Sequence, residues 1–360
     1  MPIAFADRVS LAANSQGDLL VSWIAADVHG QHRVVWASLR PAGGRFGTPQ
    51  VLFRGGPNVG GPWATIGRDR VMVVAFAADY GMFARVRRGM QGTWQPTAHL
   101  GAAALGSEND VTPYVSWLGE VVVAWYHTQL CEAGCESPGF TEVAALPVGA
   151  RRFRSTQLLV RDPVGTQGAP SGRSLAPVVF SHPWFPPMIA FLAAGAPAPG
   201  SAPTPTVVKL VQSVGSGYTA KGSSFTAPQA LSPATEQASD VAAAVGPDGM
   251  IVTWIRDAPP MYANGTVFAA PTVSAPGYPF GPPEQVSPSE HVSSALVTFN
   301  PASRWPHNAV APWIVAWTSR IQAEGPGNTA HTVVQIATPI CPSLSAPPSA
   351  DDPSCTGAQR

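Results

Sequence analysis

The chain has 360 residues, of which 45% are hydrophobic and only 12% are charged, with 35 glycines and 39 prolines. Its 21 basic and 21 acidic residues balance, which argues against a nucleic-acid-binding protein, because such a protein would carry a basic face. No apolar run approaches the roughly 18 residues needed to cross a bilayer, so we expect no transmembrane segment.

Six short apolar runs, each ending in an aromatic residue, recur along the chain. They read LVSW, VVAF, VVAW, MIAF, IVTW and IVAW and end at Trp23, Phe76, Trp125, Phe191, Trp254 and Trp317. Successive runs lie 49 to 66 residues apart, and a strand-rich unit repeated at such a spacing is typical of a propeller. The sequence therefore predicts an all-β fold, a six-bladed β-propeller of four-stranded antiparallel blades.

The fifth repeat shows the expected blade most clearly. Residues 239–245 are small enough for an inner strand, and GPDG at 246–249 reads as a turn. MIVTWI then forms a nearly all-apolar second strand, as expected for a strand buried on both faces. GTVFAAPTV (265–273) and PEQVS (283–287) supply the third and outer strands, so that four strands make one blade.

Two further sets of residues are interpreted as structural. The first comprises aromatic residues that precede the outer strands and are expected to pack neighbouring sheets together. They are Phe46, Trp94, Phe153, Phe225 and Phe280. The second comprises the two tight arginine clusters, expected to be polar positions on outer strands. They are Arg85, Arg87 and Arg88, and Arg151, Arg152 and Arg154.

Both chain ends are expected to meet in the last blade. PIAF at residues 2–5 resembles the outer-strand segments PQVL and PQAL, so we predict that this N-terminal strand closes the last blade. Residues 1–340 then form a single propeller domain, and the Pro/Ser-rich residues 341–360 form a C-terminal strap. The predicted blades cover residues 6–53, 54–101, 102–160, 161–232, 233–287, and 288–340 together with 1–5.

The four cysteines form two local pairs, Cys131 with Cys135 and Cys341 with Cys355. Two small disulfide loops in an oxidising compartment are the favoured interpretation, which indicates an extracellular, periplasmic or cell-surface protein. No signal peptide is visible at the start of the chain, so a secreted protein would have lost it and Met1 would not be native. The alternative is metal binding, because His127 completes an H-x3-C-x3-C set of soft ligands for copper or zinc.

The pattern resembles the extracellular β-propeller repeat proteins of high-GC bacteria, a group near the sialidase-like propellers. The resemblance depends on the GPDG-MIVTW and NSQGD-LLVSW turns and strands, the RPAGGRFGTPQVL and FTAPQALS segments, and their recurrence over about nine tenths of the chain. It implies the fold alone. The sialidase Asp-box, S-x-D-x-G-x-x-W, is absent, so no sialidase active site is carried over.

Charged residues near strand ends are the candidate ligand-binding set. They lie three positions after a repeat aromatic or at the start of an inner strand, and comprise Asp79, Asp110, Asp240, Asp257, His291 and Arg320. If the inner strands run in the same direction, these side chains gather in a funnel that would hydrogen-bond a sugar or hold a structural calcium, and no other cofactor is expected. Alternatively, they cap strand ends and bind loop amides.

The favoured function is a non-catalytic binding or scaffold module that recognises a glycan or a partner protein through its long loops. Tyr80, Tyr126 and Tyr262 are the aromatic side chains expected to make that contact. One alternative is a carbohydrate-active enzyme whose funnel carboxylates act as a catalytic pair, although no motif of a known catalytic class is present. Another is a subunit of a larger surface, phage or membrane-associated assembly. The oligomeric state is not indicated.

Overall fold

The computed structural model describes most of the strand-forming sequence. The described residues are 5–27, 29–104, 110–128, 138–162, 176–181, 186–194, 206–214, 224–234, 236–246, 249–258, 264–272, 280–287, 292–299, 313–321 and 331–337. All regular structure in these ranges is β-strand, and successive strands pair antiparallel. This confirms the predicted all-β class, and four of the six described sheets have the predicted four antiparallel strands.

The first three sheets each contain four consecutive strands. The first contains β1 (Phe5–Ala13), β2 (Leu19–Ala26), β3 (Arg33–Arg40) and β4 (Gln50–Gly55). The second contains β5 (Val59–Ile66), β6 (Val71–Ala78), β7 (Gly81–Arg88) and β8 (Ala98–Ala102). The third contains β9 (Asp110–Val115), β10 (Val121–Thr128), β11 (Gly139–Leu146) and β12 (Gln157–Arg161).

Three more sheets follow in the chain. The fourth contains β13 (Val178–Phe180), β14 (Met188–Ala194), β15 (Thr206–Val214), β16 (Ser224–Phe225) and β17 (Gln229–Ala230). The fifth contains β18 (Gln237–Gly246), β19 (Gly249–Ala258), β20 (Asn264–Pro271) and β21 (Glu284–Gln285). The sixth contains β22 (Val292–Phe299), β23 (Trp313–Ile321) and β24 (His331–Ala337). Residues 1–4, which carry most of the predicted closing strand, lie outside the described residues.

The chain divides into two compact units. One contains Met1–Gln167, Pro183–Ile189 and Val211–Ala227, and therefore the whole of the first three sheets. The other contains Gly168–His182, Ala190–Leu210 and Pro228–Arg360, and therefore the fifth and sixth sheets.

The repeat aromatics lie on the second strand of each sheet. Phe76, Trp125, Phe191 and Trp254 are completely buried, and Trp317 is almost so. Trp23 is half-buried and stacks on Trp36 of β3, with ring centroids 6.3 Å apart. Buried aromatic rings supply much of the apolar area that holds stacked sheets together, which explains why this position recurs in every repeat.

The inner strands carry a recurring β-bulge next to the repeat aromatic. In four sheets the pairing register between the inner strand and the second strand shifts at or next to the repeat aromatic. These aromatics are Trp23, Phe76, Trp254 and Trp317, in the first, second, fifth and sixth sheets. Three of these bulges contain residues with positive φ, namely Arg8 (51°), Gly61 (96°) and Asp240 (55°). Bulges commonly re-aim side chains, and here two nearby side chains reach the inner strand of the following sheet. Ser10 accepts a hydrogen bond from the Ala64 amide, and Asp240 accepts one from the Ala295 amide, each at 3.0 Å.

A buried carboxylate links the turns of the first two sheets. Asp18 is fully buried and accepts hydrogen bonds from Arg70 Nε at 2.8 Å, the Ala42 amide at 2.9 Å and Asn14 Nδ2 at 3.1 Å. Asn14 also donates to the Gly67 carbonyl at 3.3 Å. The β1–β2 turn is therefore tied both to its own sheet and to the next one.

The aromatics before the outer strands differ in their burial. Phe225 is buried, while Trp94 and Phe153 are half-buried and pack against apolar clusters. Trp94 forms an isolated β-bridge with Arg87 of β7, and Phe280 forms one with Thr272 just after β20. The two aromatics therefore occupy equivalent positions beside the third strands of their sheets. Phe46 is 46% exposed, with the Arg40 guanidinium 5.8 Å from its ring centroid. The packing interpretation is therefore wrong for Phe46, because nearly half of its surface is exposed to solvent.

Candidate ligand-binding site

Asp79 and Tyr80 form the two-residue turn between β6 and β7. Their φ angles are 44° and 65°, and Ala78 pairs with Gly81 on either side of them. Positive φ at both central positions is the geometry of a type I′ hairpin turn. Both side chains are exposed, and Tyr80 is 55% accessible. Asp79 thus has a role in the turn, and Tyr80 remains available for contact with a ligand.

Asp110 and Tyr126 lie opposite each other at the end of the β9–β10 pair. Tyr126 is buried, so its ring is not accessible to stack on a ligand as the sequence suggested. Burial, together with the negative charges of Asp162 and Asp110, raises the pKa of Tyr126 to about 12. The phenol is therefore neutral over the whole physiological range.

The other predicted site residues are distributed as follows. The Asp240 carboxylate accepts a hydrogen bond from the Ala295 amide of the sixth sheet. This agrees with the alternative interpretation, in which these residues bind backbone amides. Asp257 and Arg320 belong to β19 and β23, but their side chains lie outside the described part of the structure. Several residues fall entirely outside it, namely Tyr262, His291, Cys131, Cys135, Cys341 and Cys355. The disulfide and metal hypotheses for the cysteines therefore remain predictions.

His127 is held within the third sheet. Its ring is stacked on Phe140 with centroids 5.2 Å apart, and Nε2 lies 3.3 Å from Glu142 Oε2. Nδ1 is buried and has no hydrogen-bond partner among the residues that the structure describes. The nitrogen that contacts Glu142 is thus already engaged, and no group of three or more potential metal ligands occurs among the described residues.

A site that the sequence did not indicate lies on β7. Phe83, Arg85 and Arg87 alternate with the buried Ala84 and Val86, so the arginines project from the face of the second sheet that packs on the first.

Both arginines are engaged by neutral oxygen atoms. Arg85 donates to the carbonyls of Gln95 at 2.8 Å, Leu52 at 3.0 Å and Trp94 at 3.3 Å. Arg87 donates to Gln50 Oε1 at 3.2 Å, to the Gly89 carbonyl at 3.4 Å and to the Met90 carbonyl. No carboxylate within the described ranges forms an ion pair with either guanidinium.

A cavity of about 420 Å³ opens beside Arg87, and we call it the inter-sheet pocket. Its walls come from β3, the β3–β4 connection and the start of β4 in the first sheet, and from the end of β7 and the following connection in the second. The lining residues are Ala37, Ser38, Leu39, Pro41, Arg45, Gly47, Thr48, Gln50, Arg87, Met90, Gln91 and Trp94. Its volume lies within the range of small-molecule sites, about 300–1,000 Å³.

The pocket combines an apolar floor with convergent polar groups. Leu39, Met90 and the half-buried Trp94 supply apolar surface, while Gln50 and Gln91 supply amides. Ser38 is already engaged, since its hydroxyl donates to the Gly47 carbonyl at 2.7 Å. An apolar surface with a few directed donors and acceptors is the usual composition of a ligand site.

Electrostatically, the pocket is positive. Arg45 and Arg87 are its charged lining residues, and none of the described residues that line it is acidic. Arg87 is only 8% exposed, and burial lowers the pKa of both Arg85 and Arg87 below the ordinary arginine value. Burial acts in this direction because it penalises the charged form, yet arginine stays protonated at physiological pH.

No family model matches the sequence. A search of curated proteins finds no match either. Among the residues that the structure describes, no helix is long and apolar enough to cross a membrane.

Several solved structures resemble the chain in fold. The Dos1 propeller has a TM-score of 0.43 and 12% sequence identity over 87% of this chain and 66% of that one. The α-L-arabinanase of Penicillium chrysogenum, complexed with arabinobiose, has a TM-score of 0.43 and 13% identity over 92% and 93%. A Hadza microbial sialidase has a TM-score of 0.42 and 9% identity over 92% and 65%. The chain spans just under two thirds of the Dos1 propeller and of the sialidase, and the resemblance is limited to the fold.

Proposed function

We propose that the chain is a non-catalytic, extracellular or cell-surface propeller that binds a carbohydrate in the inter-sheet pocket. The observation that supports this is the composition of the pocket, in which a half-buried indole lies beside two amides, a hydroxyl and two guanidinium groups. Sugar rings present apolar C–H faces and directional hydroxyl groups. An aromatic surface flanked by side chains that both donate and accept hydrogen bonds therefore suits them.

The positions of the polar groups favour a small ligand. Gln50 is held by the hydrogen bond that its Oε1 accepts from Arg87, and its amide N–H₂ remains a donor. Thr48 and Gln91 are exposed and supply further hydroxyl and amide groups at the rim. A polar group that is held in place before the ligand arrives reduces the entropy lost on binding, and the exposed Thr48 and Gln91 can adapt to the ligand.

The same proposal includes a ring of six blades, one for each antiparallel sheet. Ring closure would cover apolar side chains that the first and last sheets expose: Val9 and Leu11 in β1, Leu296 in β22, and Val334 and Ile336 in β24. Small-angle scattering tests the ring directly. A compact chain of this length has a radius of gyration of about 21 Å, and a clearly larger value would contradict closure.

Binding is tested with the purified chain on an array of oligosaccharides, followed by calorimetry on the strongest ligand. We expect Trp94→Ala to weaken binding at least tenfold, because the stacking surface is lost. Tyr80→Ala is the matched control, since Tyr80 is an exposed aromatic in the same sheet but does not line the pocket.

The outcomes separate the two possible locations. If Tyr80→Ala abolishes binding while Trp94→Ala does not, the ligand site lies among the loops, as the sequence suggested, and the pocket is not the site. If no oligosaccharide binds, the proposed function is wrong. Repeating the titration with calcium and with a chelator shows whether a structural cation contributes.

A further inference from the structure

We infer that the inter-sheet pocket selects a sugar that carries a carboxylate, such as a uronic acid residue, over its neutral counterpart. This inference rests on the proposed function and specifies the ligand for the same site. Its starting point is the charge of the pocket, whose two charged lining residues, Arg45 and Arg87, are both cationic.

The first argument concerns the environment of Arg87. The residue is only 8% exposed, yet its three hydrogen bonds go to the neutral oxygens of Gln50, Gly89 and Met90. Buried charges in proteins are ordinarily paired with a charge of opposite sign, because desolvation is otherwise uncompensated. Within the described part of the chain Arg87 has no such partner. A ligand that brings an anionic group supplies it.

The second argument concerns geometry. A guanidinium has five N–H groups, and Arg87 uses one from each of its three nitrogen atoms in the bonds just described. One N–H on each terminal nitrogen is left as a donor, and the planar, permanently charged guanidinium suits the oxygens of a carboxylate.

The third argument concerns what holds Arg87 and the aromatic surface together. The next arginine on the same face, Arg85, is fixed by the carbonyls of Leu52, Trp94 and Gln95. It thereby ties the first sheet to the segment that carries Trp94, next to Arg87. The cation and the aromatic surface are consequently held close together, so a ligand that carries an acid group on a ring can engage both. An anion without a ring would engage only the cation.

The experiment compares three probes on the full chain by calorimetry: trigalacturonate, the neutral galactotriose, and a sulfated oligosaccharide of similar length. We expect trigalacturonate to bind at least tenfold more tightly than galactotriose. The preference should decrease as salt is raised, since the charges at the mouth are screened.

Two variants locate the preference. Arg87→Gln keeps hydrogen-bonding capacity and removes the charge, and we expect it to abolish the preference for trigalacturonate. Arg45→Gln changes an exposed residue and is expected to fold normally while reducing the preference several-fold. Arg151→Gln is the matched control, because Arg151 is exposed but does not line the pocket.

Each outcome bears on a different statement. Equal, Trp94-dependent binding of trigalacturonate and galactotriose would overturn the carboxylate inference and leave the proposed function intact. Equally tight binding of the sulfated probe and trigalacturonate would overturn the inference as well, because it would show a general anion site. Preference for the sulfated probe alone would overturn it because the site would then select sulfate. A preference for trigalacturonate that survives in both Arg87→Gln and Arg45→Gln would also refute it. Absence of binding by every oligosaccharide would refute the proposed function itself.

Discussion

Replacement of Asp18 by alanine should destabilise the first unit strongly. Three hydrogen bonds converge on this buried carboxylate, from Arg70 Nε, the Ala42 amide and Asn14 Nδ2. Removal of one partner from a buried ion pair costs about 3–5 kcal/mol. Since the Arg70 side chain is 42% exposed and can be solvated, we expect the lower end, about 3 kcal/mol.

Hydrogen exchange in the folded protein is the most direct assay. A loss of about 3 kcal/mol corresponds to exchange that is roughly 100-fold faster for amides that open with the first two sheets. The Ala42 amide should be affected at least as much, because its acceptor is removed. Asp69→Ala is the matched control. Asp69 lies in the corresponding turn of the second sheet but is exposed and accepts only a 3.3 Å bond from the Val71 amide, so its replacement should cost less than about 0.5 kcal/mol.

The acid dependence of the same variant provides an independent check. Burial by itself would raise the pKa of Asp18, but the hydrogen bonds from Ala42, Arg70 and Asn14 and the charge of Arg70 outweigh it and lower the pKa below 3.8. A lowered pKa means that the carboxylate stabilises the fold above pH 3.8 and that this contribution is lost as pH falls through the folded value. The difference between wild type and Asp18→Ala should therefore shrink in acid. Equal exchange in the Asp18 and Asp69 variants at neutral pH would refute the reasoning.

Three further predictions concern a bulge, a turn and a buried phenol. Asp240→Ala should cost about 1–3 kcal/mol, read from exchange of the Ala295 amide, while Asp240→Asn should cost less because asparagine tolerates positive φ and retains an acceptor. Replacing Asp79 and Tyr80 by Asn-Gly should raise the melting temperature, since these residues suit a type I′ turn; a lower value would show that the side chains matter more than the turn. Ultraviolet titration should show that Tyr126 ionises near pH 12, with stability falling between about pH 10 and 12 as the unfolded chain alone deprotonates; ionisation near pH 10 would contradict its burial.

The sheets were predictable because their signal is local. The second strand of each repeat is a continuous apolar run, and its terminal aromatic is buried at Phe76, Trp125, Phe191 and Trp254. Strand order follows from short connections between antiparallel neighbours, which the turn residues mark in the sequence. Predicting these features does not require knowing which side chains meet between sheets.

The inter-sheet pocket was not predictable in the same way. Arg85 and Arg87 were interpreted as solvent-facing because arginine ordinarily decorates exposed strand faces, and Trp94 was interpreted only as packing. The pocket arises because β7 and β4, which belong to different sheets, place Arg87 and Gln50 within 3.2 Å of each other. The sequence did contain one signal of burial. Arg85 and Arg87 are two residues apart and therefore share one face of β7, and β7 is an interior strand with a neighbour on each side.

The predicted funnel residues show the limit of reasoning from strand ends. Asp79 and Asp240 have positive φ angles, which aspartate tolerates better than most residues, and the Asp240 carboxylate also accepts the Ala295 amide, so both have structural roles. Tyr126 was selected as a loop residue because it precedes a polar segment, but it is still within β10 and buried. Position relative to a turn does not determine whether a side chain faces solvent or a neighbouring sheet.

The bulges of the inner strands shift the phase of side-chain alternation. On a regular strand, even-numbered and odd-numbered positions point to opposite faces throughout, but an extra residue exchanges the two sets beyond it. Tolerance to substitution along β1, measured by a mutational scan, should therefore follow one parity before Arg8 and the opposite parity after it. A copy of the repeat inserted or deleted as a unit retains this shift. Deletion of the extra residue Arg8 alone would leave the pairing on both sides of the bulge unchanged, whereas a single-residue deletion elsewhere in β1 would turn the strand beyond it inside out.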